Sequence, residues 1–186
     1  MNRKRQLFTF FVLILLLLLQ YSNNTTEALG NPSKPRPENW ATPIQKPGLP
    51  NLFKVSDTLY RGAQPDKIGF EELKKMGIKS VINFRDNHDD AIFLINSGIK
   101  YYRLPMIAFF PSKEKFRRFL EIVSDPSNLP AFVHCKHGAD RTGAGVALYR
   151  IKIQGWSPDD AINEMVNGGF GFHKIHNHLK RFIRKF

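Results

Sequence analysis

The 186 residues contain one cysteine, Cys135, and it stands in the run His134-Cys135-Lys136-His137-Gly138-Ala139-Asp140-Arg141-Thr142-Gly143. An apolar run enters this segment and a helical pattern leaves it. The backbone N–H groups of the turn and of the helix start therefore converge on one point, which binds an anion without side-chain help. Gly138 permits a tight turn and a close backbone approach to a phosphate. Arg141 adds a planar fork that matches two phosphate oxygens. The same positive field favours thiolate over thiol, and a thiolate beneath a bound phosphate is a nucleophile aimed at phosphorus. The bland reading of a lone cysteine is a buried structural thiol. With no second cysteine, no intrachain disulfide can form. The neighbours of Cys135 favour chemistry over packing.

Cys-(five residues)-Arg followed by Thr and preceded by His resembles the signature loop of the protein tyrosine and dual-specificity phosphatase superfamily. Leu59-Tyr60-Arg61-Gly62-Ala63-Gln64-Pro65 and Val81-Ile82-Asn83-Phe84-Arg85 resemble its compact bacterial and atypical dual-specificity branches. The resemblance implies that Cys135 forms a phosphocysteine intermediate and that Arg141 clamps the phosphoryl group. It also implies that His134 orients the loop and that Thr142 hydrogen-bonds the sulfur and helps release it. Gly138 and Ala139 line the substrate loop with Lys136 and His137, and the last two either read a second anionic group or form a solvated basic edge. No metal or other cofactor is implied, because backbone N–H groups and Arg141 neutralise the equatorial oxygens. The implied substrate is phosphotyrosine or another phosphomonoester on a protein. A phosphoinositide or inositol phosphate is the alternative, favoured by Asp140, the basic charge and Lys136, since Lys after the catalytic Cys also occurs in tensin-type phosphatases. A non-catalytic phosphate-binding module is a third reading. No nucleic-acid partner is implied.

The leaving oxygen needs a proton, which the family commonly draws from an Asp on a separate loop. That loop is expected between a strand Ile99–Leu104 and a helix from Ser112. It reads Pro105-Met106-Ile107-Ala108-Phe109-Phe110-Pro111, without an acid. Asp140 is the substitute: Cys-x-x-Gly-x-Asp-Arg resembles the arrangement of myotubularin-type lipid phosphatases, where an Asp in this position is a proposed acid. The opposing reading is that Asp140 orients Arg141 or braces the loop. Asp86, Asp89 and Asp90 stand next in line, with solvation or capping of the following helix as their ordinary roles. His173, His176 and His178 have no acid or Cys near them in sequence and read as surface histidines rather than metal ligands.

The elements that must position these groups alternate. Strands are expected at Phe53–Val55, Thr58–Tyr60, Ser80–Phe84, Ile99–Leu104 and Leu129–His134. Helices are expected at Phe70–Met76, Asp90–Ser97, from Ser112, Thr142–Gln154, after Ser157 and from Ile175 to Phe186. Ser157-Pro158-Asp159-Asp160 has a Ser cap, Pro at the first helical position and acids in the first turn. The pattern implies an α/β domain over 52–186 with a central, mostly parallel sheet flanked by helices. Ligands in such sheets bind beyond the carboxyl ends of the strands, where Cys135 follows its strand.

Hydrophobic residues make up 42% and charged residues 24%, the balance of a globular chain, but the net charge is +12. A basic surface of that size attracts anions. Asn2-Arg3-Lys4-Arg5 followed by the apolar run Leu7–Leu19 has the layout of a secretory signal peptide, with Thr26-Glu27-Ala28 as a cleavage site. Residues 1–28 are therefore expected to direct export to a periplasm or the exterior, with an uncleaved membrane anchor as the alternative. Residues 29–51, rich in Pro, read as a linker or an arm lying on the domain. The Lys and Arg residues of the last helix read as its wet face, with a membrane surface as a conceivable partner.

Overall fold

The computed structural model describes residues 36–186, and the segment expected to direct export lies outside them. The strands are β1 (Thr42–Pro43), β2 (Phe53–Lys54), β3 (Leu59–Gly62), β4 (Ser80–Asn83), β5 (Lys100–Arg103) and β6 (Ala131–His134). The helices are α1 (Lys67–Lys75), α2 (Ala91–Leu94), α3 (Lys113–Ser124), α4 (Asp140–Lys152), α5 (Pro158–Asn167) and α6 (His178–Arg184). Lys174–His176 adds a 3-10 turn before α6.

The strand order is β1-β2-β3-β6-β4-β5. β3, β6, β4 and β5 run parallel, whereas β1 and β2 are antiparallel additions. β6 sits in the middle because every one of its residues is apolar or finds a buried partner, and all four are buried. The expected mostly parallel sheet with flanking helices is the one observed. Of residues 29–51, expected as a linker or an arm lying on the domain, residues 38–51 belong to the compact unit that starts at Glu38. β1 pairs with β2, and Ala41 N–H donates to Glu164 at 2.6 Å.

Glu164 is itself pinned. Arg150 on α4 donates to both of its oxygens, at 2.8 and 2.7 Å, and both side chains are at most 3% exposed. This pair and the Ala41 bond tie the N-terminal arm to the helices behind the sheet. α4 is buried on nearly every side, with Thr142 through Arg150 all inaccessible, as expected of a helix without a polar face. Ser157 caps α5 by accepting from Asp160 N–H, with Pro158 at the first helical position.

Candidate active site

Four parallel strands end on one side of the sheet, and each sends its next residues into the site. β6 delivers His134 and Cys135. The chain then turns through Lys136–Ala139 and enters α4 at Asp140. The Cys135 side chain lies at the bottom of this turn, 2% exposed. Gly138 takes φ +70°, and a Cβ there would lie 2.5 Å from the carbonyl carbon and oxygen of Gly62. The close approach that requires glycine is thus to the end of β3. Among the described residues, no backbone N–H of Lys136, His137, Gly138 or Ala139 has an acceptor. These four donors follow the thiol directly in the chain.

The loop is held from behind by two buried networks. Arg61, 1% exposed on β3, donates to Gly138 O at 2.6 Å and stacks over Phe170 at 3.7 Å. It places a buried positive charge beneath the turn. Asp90, fully buried, accepts from Gln64 and Asn83 at 2.7 Å each, and its Oδ2 lies 2.9 Å from His134 Nε2, a charge contact more than an aligned hydrogen bond. Burial opposes the charge of Asp90, yet the contact with His134 and the bond from Gln64 hold its carboxyl below the usual carboxylate value. Solvation does not describe Asp90, and capping of α2 falls to Asp89, which accepts from Ala91 N–H at 3.0 Å.

Arg141 is tethered by one nitrogen. Its Nη1 donates to Asp86 Oδ1 and to Met106 O, both at 2.9 Å, and approaches Phe84 O at 3.5 Å. Among the described residues, the other edge of the guanidinium carries no such bond. Burial slightly opposes the charge of Asp86, but a backbone bond and Arg141 together hold its carboxyl below the usual range. Beside this pair lies a groove of about 340 Å³ walled by Asp86, Met106, Ile107, Phe110 and Lys115.

Asp140 is held by His173. Its Oδ1 accepts from His173 N–H at 3.0 Å, and its Oδ2 from His173 Nδ1 at 2.8 Å. The Thr142 hydroxyl is buried and has no hydrogen-bond partner among the described residues, a donor left available beside the turn. The histidines expected at the surface gather at the rim. His173 lies 5.4 Å from His137 between ring centroids, and Phe109 of the acid-free loop packs on His176 and His178 at 4.5 and 5.8 Å. His178 Nε2 also bonds Ala108 O at 3.0 Å. Among the described residues, no group of three or more His, Cys, Asp or Glu side chains is arranged to hold a metal ion.

The family described as "DSP-PTPase phosphatase fused to NAD+ Kinase" matches residues 50–181. The chain belongs to this phosphatase family. Dual specificity protein phosphatase TpbA of Pseudomonas aeruginosa is 35% identical over 138 residues, 74% of this chain and 62% of TpbA. Inositol diphosphatase SIW14 of Saccharomyces cerevisiae is 33% identical over 128 residues, 61% of this chain and 44% of SIW14. The chain thus aligns with about three fifths of the length of the TpbA relatives, 62% and 60%. The crystal structure of P. aeruginosa TpbA superposes with a TM-score of 0.72 at 31% identity, covering 82% of this chain and 93% of that one. A TpbA variant in complex with phosphotyrosine superposes at 0.70, with 31% identity, 81% of this chain and 91% of that one.

Within this phosphatase fold the signature residues Cys135, Arg141, Thr142 and His134 come together with Lys136, His137, Gly138 and Ala139 around one turn. Asp86 joins them through Arg141, and Asp140 is bonded to the His173 segment. Reading the sequence gave no role to Arg61, Gln64 or Asn83, nor to Met106 O. Arg61 and Gln64 stand in the run Leu59–Pro65 and Asn83 in the run Val81–Arg85, both quoted for the family resemblance, which assigned them no role.

Proposed function

We propose that this protein is a cysteine-dependent phosphatase hydrolysing phosphomonoesters through a phosphocysteine intermediate. The observation that carries the reading is the cradle of acceptor-free backbone N–H groups over the Cys135 thiol, flanked by the free edge of Arg141. A phosphate dianion entering the cradle takes these N–H bonds, and Nε and Nη2 of Arg141 are open to two of its oxygens while Nη1 stays on Asp86 and Met106. The Cys135 thiolate then attacks phosphorus, the ester oxygen leaves, and water cleaves the S–P bond. Thr142 offers its hydroxyl to the departing thiolate, and His134, braced by Asp90, orients the turn. The proton for the leaving oxygen is assigned to the Asp140 side of the site, the loop 105–111 having no acid.

The substrate supported best is phosphotyrosine on a protein. The groove beside Arg141 has an apolar wall of Met106, Ile107 and Phe110 suited to an aromatic ring, and the related TpbA is known in complex with phosphotyrosine. A second reading, an inositol phosphate, draws on the rim. Burial first, and then His173 and Lys136, push the His137 imidazole below its ordinary value, which marks basic groups crowded at this edge. SIW14 is named an inositol diphosphatase. Purified protein assayed on phosphotyrosine peptides, soluble inositol polyphosphates and phosphoinositide vesicles separates these readings. Denaturant-stable phosphate label on Cys135 is expected with the preferred substrate. Binding without turnover on every substrate would reduce the protein to a phosphate-binding module.

Export is part of the proposal and rests on the n-region and apolar run of residues 1–28. N-terminal sequencing of protein recovered outside the cytoplasm should begin near Leu29. An intact Met1 on membrane-bound protein would establish an anchor instead.

A further inference from the structure

The acid-free loop leaves the reaction without its usual proton source, and the geometry around Asp140 supplies one. Both carboxylate oxygens of Asp140 accept from His173, one from its backbone N–H and one from Nδ1. A carboxylate accepting two N–H bonds is employed as an acceptor, not as a donor. The same bond fixes the imidazole, because Nδ1 is committed and the ring cannot rotate without losing it. Nε2 is then the free nitrogen, and among the described residues it has no hydrogen-bond partner. The ring is about half exposed, at 48%, where the Asp140 carboxyl is 9% exposed.

The placement is equally specific. Asp140 opens the helix that follows the turn, and the His173 it holds is placed against the turn by its contact with His137. The His173 ring faces His137 of the cradle at 5.4 Å and His176 at 6.4 Å. The loop 105–111 is itself fastened to this histidine segment, through Phe109 on His176 and His178 and through Ala108 O on His178. The loop that would otherwise bring an acid to the mouth is bound to the segment that carries His173.

We propose that Nε2 of His173 delivers the proton to the leaving oxygen, with Asp140 as the positioning residue, an inference that rests on the phosphatase reading above. Cys135 Sγ attacks phosphorus, the S–P bond forms and the P–O ester bond breaks, and the imidazolium of His173 gives its Nε2 proton to that oxygen. In the second half the neutral imidazole takes a proton from the attacking water, the S–P bond breaks, and thiolate and inorganic phosphate are released. An imidazole oriented by a carboxylate can give a proton in the first half and take one in the second. The titratable groups in contact with the ring are Asp140, His137 and His176.

The test is a leaving-group series on the full chain. Wild type, His173→Gln, Asp140→Asn and Asp86→Asn are compared on phenyl phosphate and on 2,4-dinitrophenyl phosphate, whose phenolate leaves without a proton. His173→Gln should lower kcat on phenyl phosphate by about 10²–10⁴-fold, the span of general acid catalysis, and change dinitrophenyl phosphate turnover by only a few fold. Its rate on phenyl phosphate should lose the fall at high pH that wild type shows. Asp140→Asn should give a weaker form of the same pattern, because His173 remains but is no longer aimed.

Equal loss on both substrates, or a loss in KM alone, would overturn the assignment in favour of a structural or anion-binding role. So would a leaving-group effect confined to Asp140→Asn or to Asp86→Asn. Should His173→Gln not fold, the wild-type profile still decides. A phenyl phosphate rate without a basic limb refutes the proposal. No turnover of dinitrophenyl phosphate by wild type would refute the phosphatase reading itself and is distinguishable from every outcome above.

Discussion

Gly138→Ala isolates what the turn requires of its backbone. Two costs add at this position. The residue holds φ +70°, a left-handed conformation that costs an L side chain about 1–2 kcal/mol. The new methyl would also sit 2.5 Å from Gly62 C and O and 2.7 Å from Ala63 N, all backbone atoms that cannot rotate aside. Overpacking of that kind costs roughly 1–3 kcal/mol. The total is about 2–5 kcal/mol, and the Arg61 bond to Gly138 O is strained by any shift that relieves it. Gly77 provides the control, since its φ is +72° and a Cβ there meets nothing within 4 Å. Gly77→Ala should therefore cost only the conformational part, about 1–2 kcal/mol. Urea unfolding of the three proteins measures both, and with a slope of about 2 kcal/mol/M the Gly138→Ala midpoint should fall by roughly 1–2.5 M. Affinity for a phosphate mimic should fall with it. Equal midpoints for Gly138→Ala and Gly77→Ala, with mimic binding intact, would refute the close approach to Gly62.

Cys135→Ser should abolish turnover and retain phosphate-mimic binding, measured by calorimetry, because the cradle is backbone and Arg141. Arg141→Lys should lose both binding and rate, since an ammonium cannot keep Nη1 on Asp86 and Met106 while offering a fork to phosphate. Glu164→Gln leaves the Arg150 charge buried without its partner and should cost about 3–5 kcal/mol in urea unfolding, with catalysis per folded molecule little changed. The Asp90 carboxyl is lowered from 3.8 in the folded protein, so the stability it contributes is complete above that value and is lost as pH falls through the folded one. Asp90→Asn should thus be less stable than wild type at pH 7, with the gap narrowing below pH 4 in a series of unfolding midpoints.

What the sequence discloses here follows the distance over which each role is set. The turn from His134 to Gly143 is legible because one strand end, one glycine and one helix start define it within ten residues. Ser157-Pro158 is legible for the same reason: a cap and a first-turn proline act on the nearest N–H groups. Arg61 and Asp90 are not, because their roles depend on Gly138 and His134 from other strands, the first pair being 77 positions apart. β1 escapes notice because two residues, one a proline, show no alternation, and only pairing with Phe53–Lys54 makes them a strand. His173 lies 33 positions from Asp140, and nothing in its neighbourhood announces the partner.

The depth of Cys135 bears on oxidation. A thiolate in a positive cradle is the first group that peroxide attacks, and the resulting sulfenic acid commonly escapes further damage by condensing with a second thiol. This chain has no other cysteine. A sulfenic Cys135 therefore has two exits, a neighbouring backbone nitrogen or a thiol from outside. With the side chain 2% exposed beneath the turn, the outside thiol must be slender enough to enter the phosphate mouth. Recovery from peroxide should then be governed by the size of the reductant more than by its potential, with small monothiols acting where a protein reductant does not.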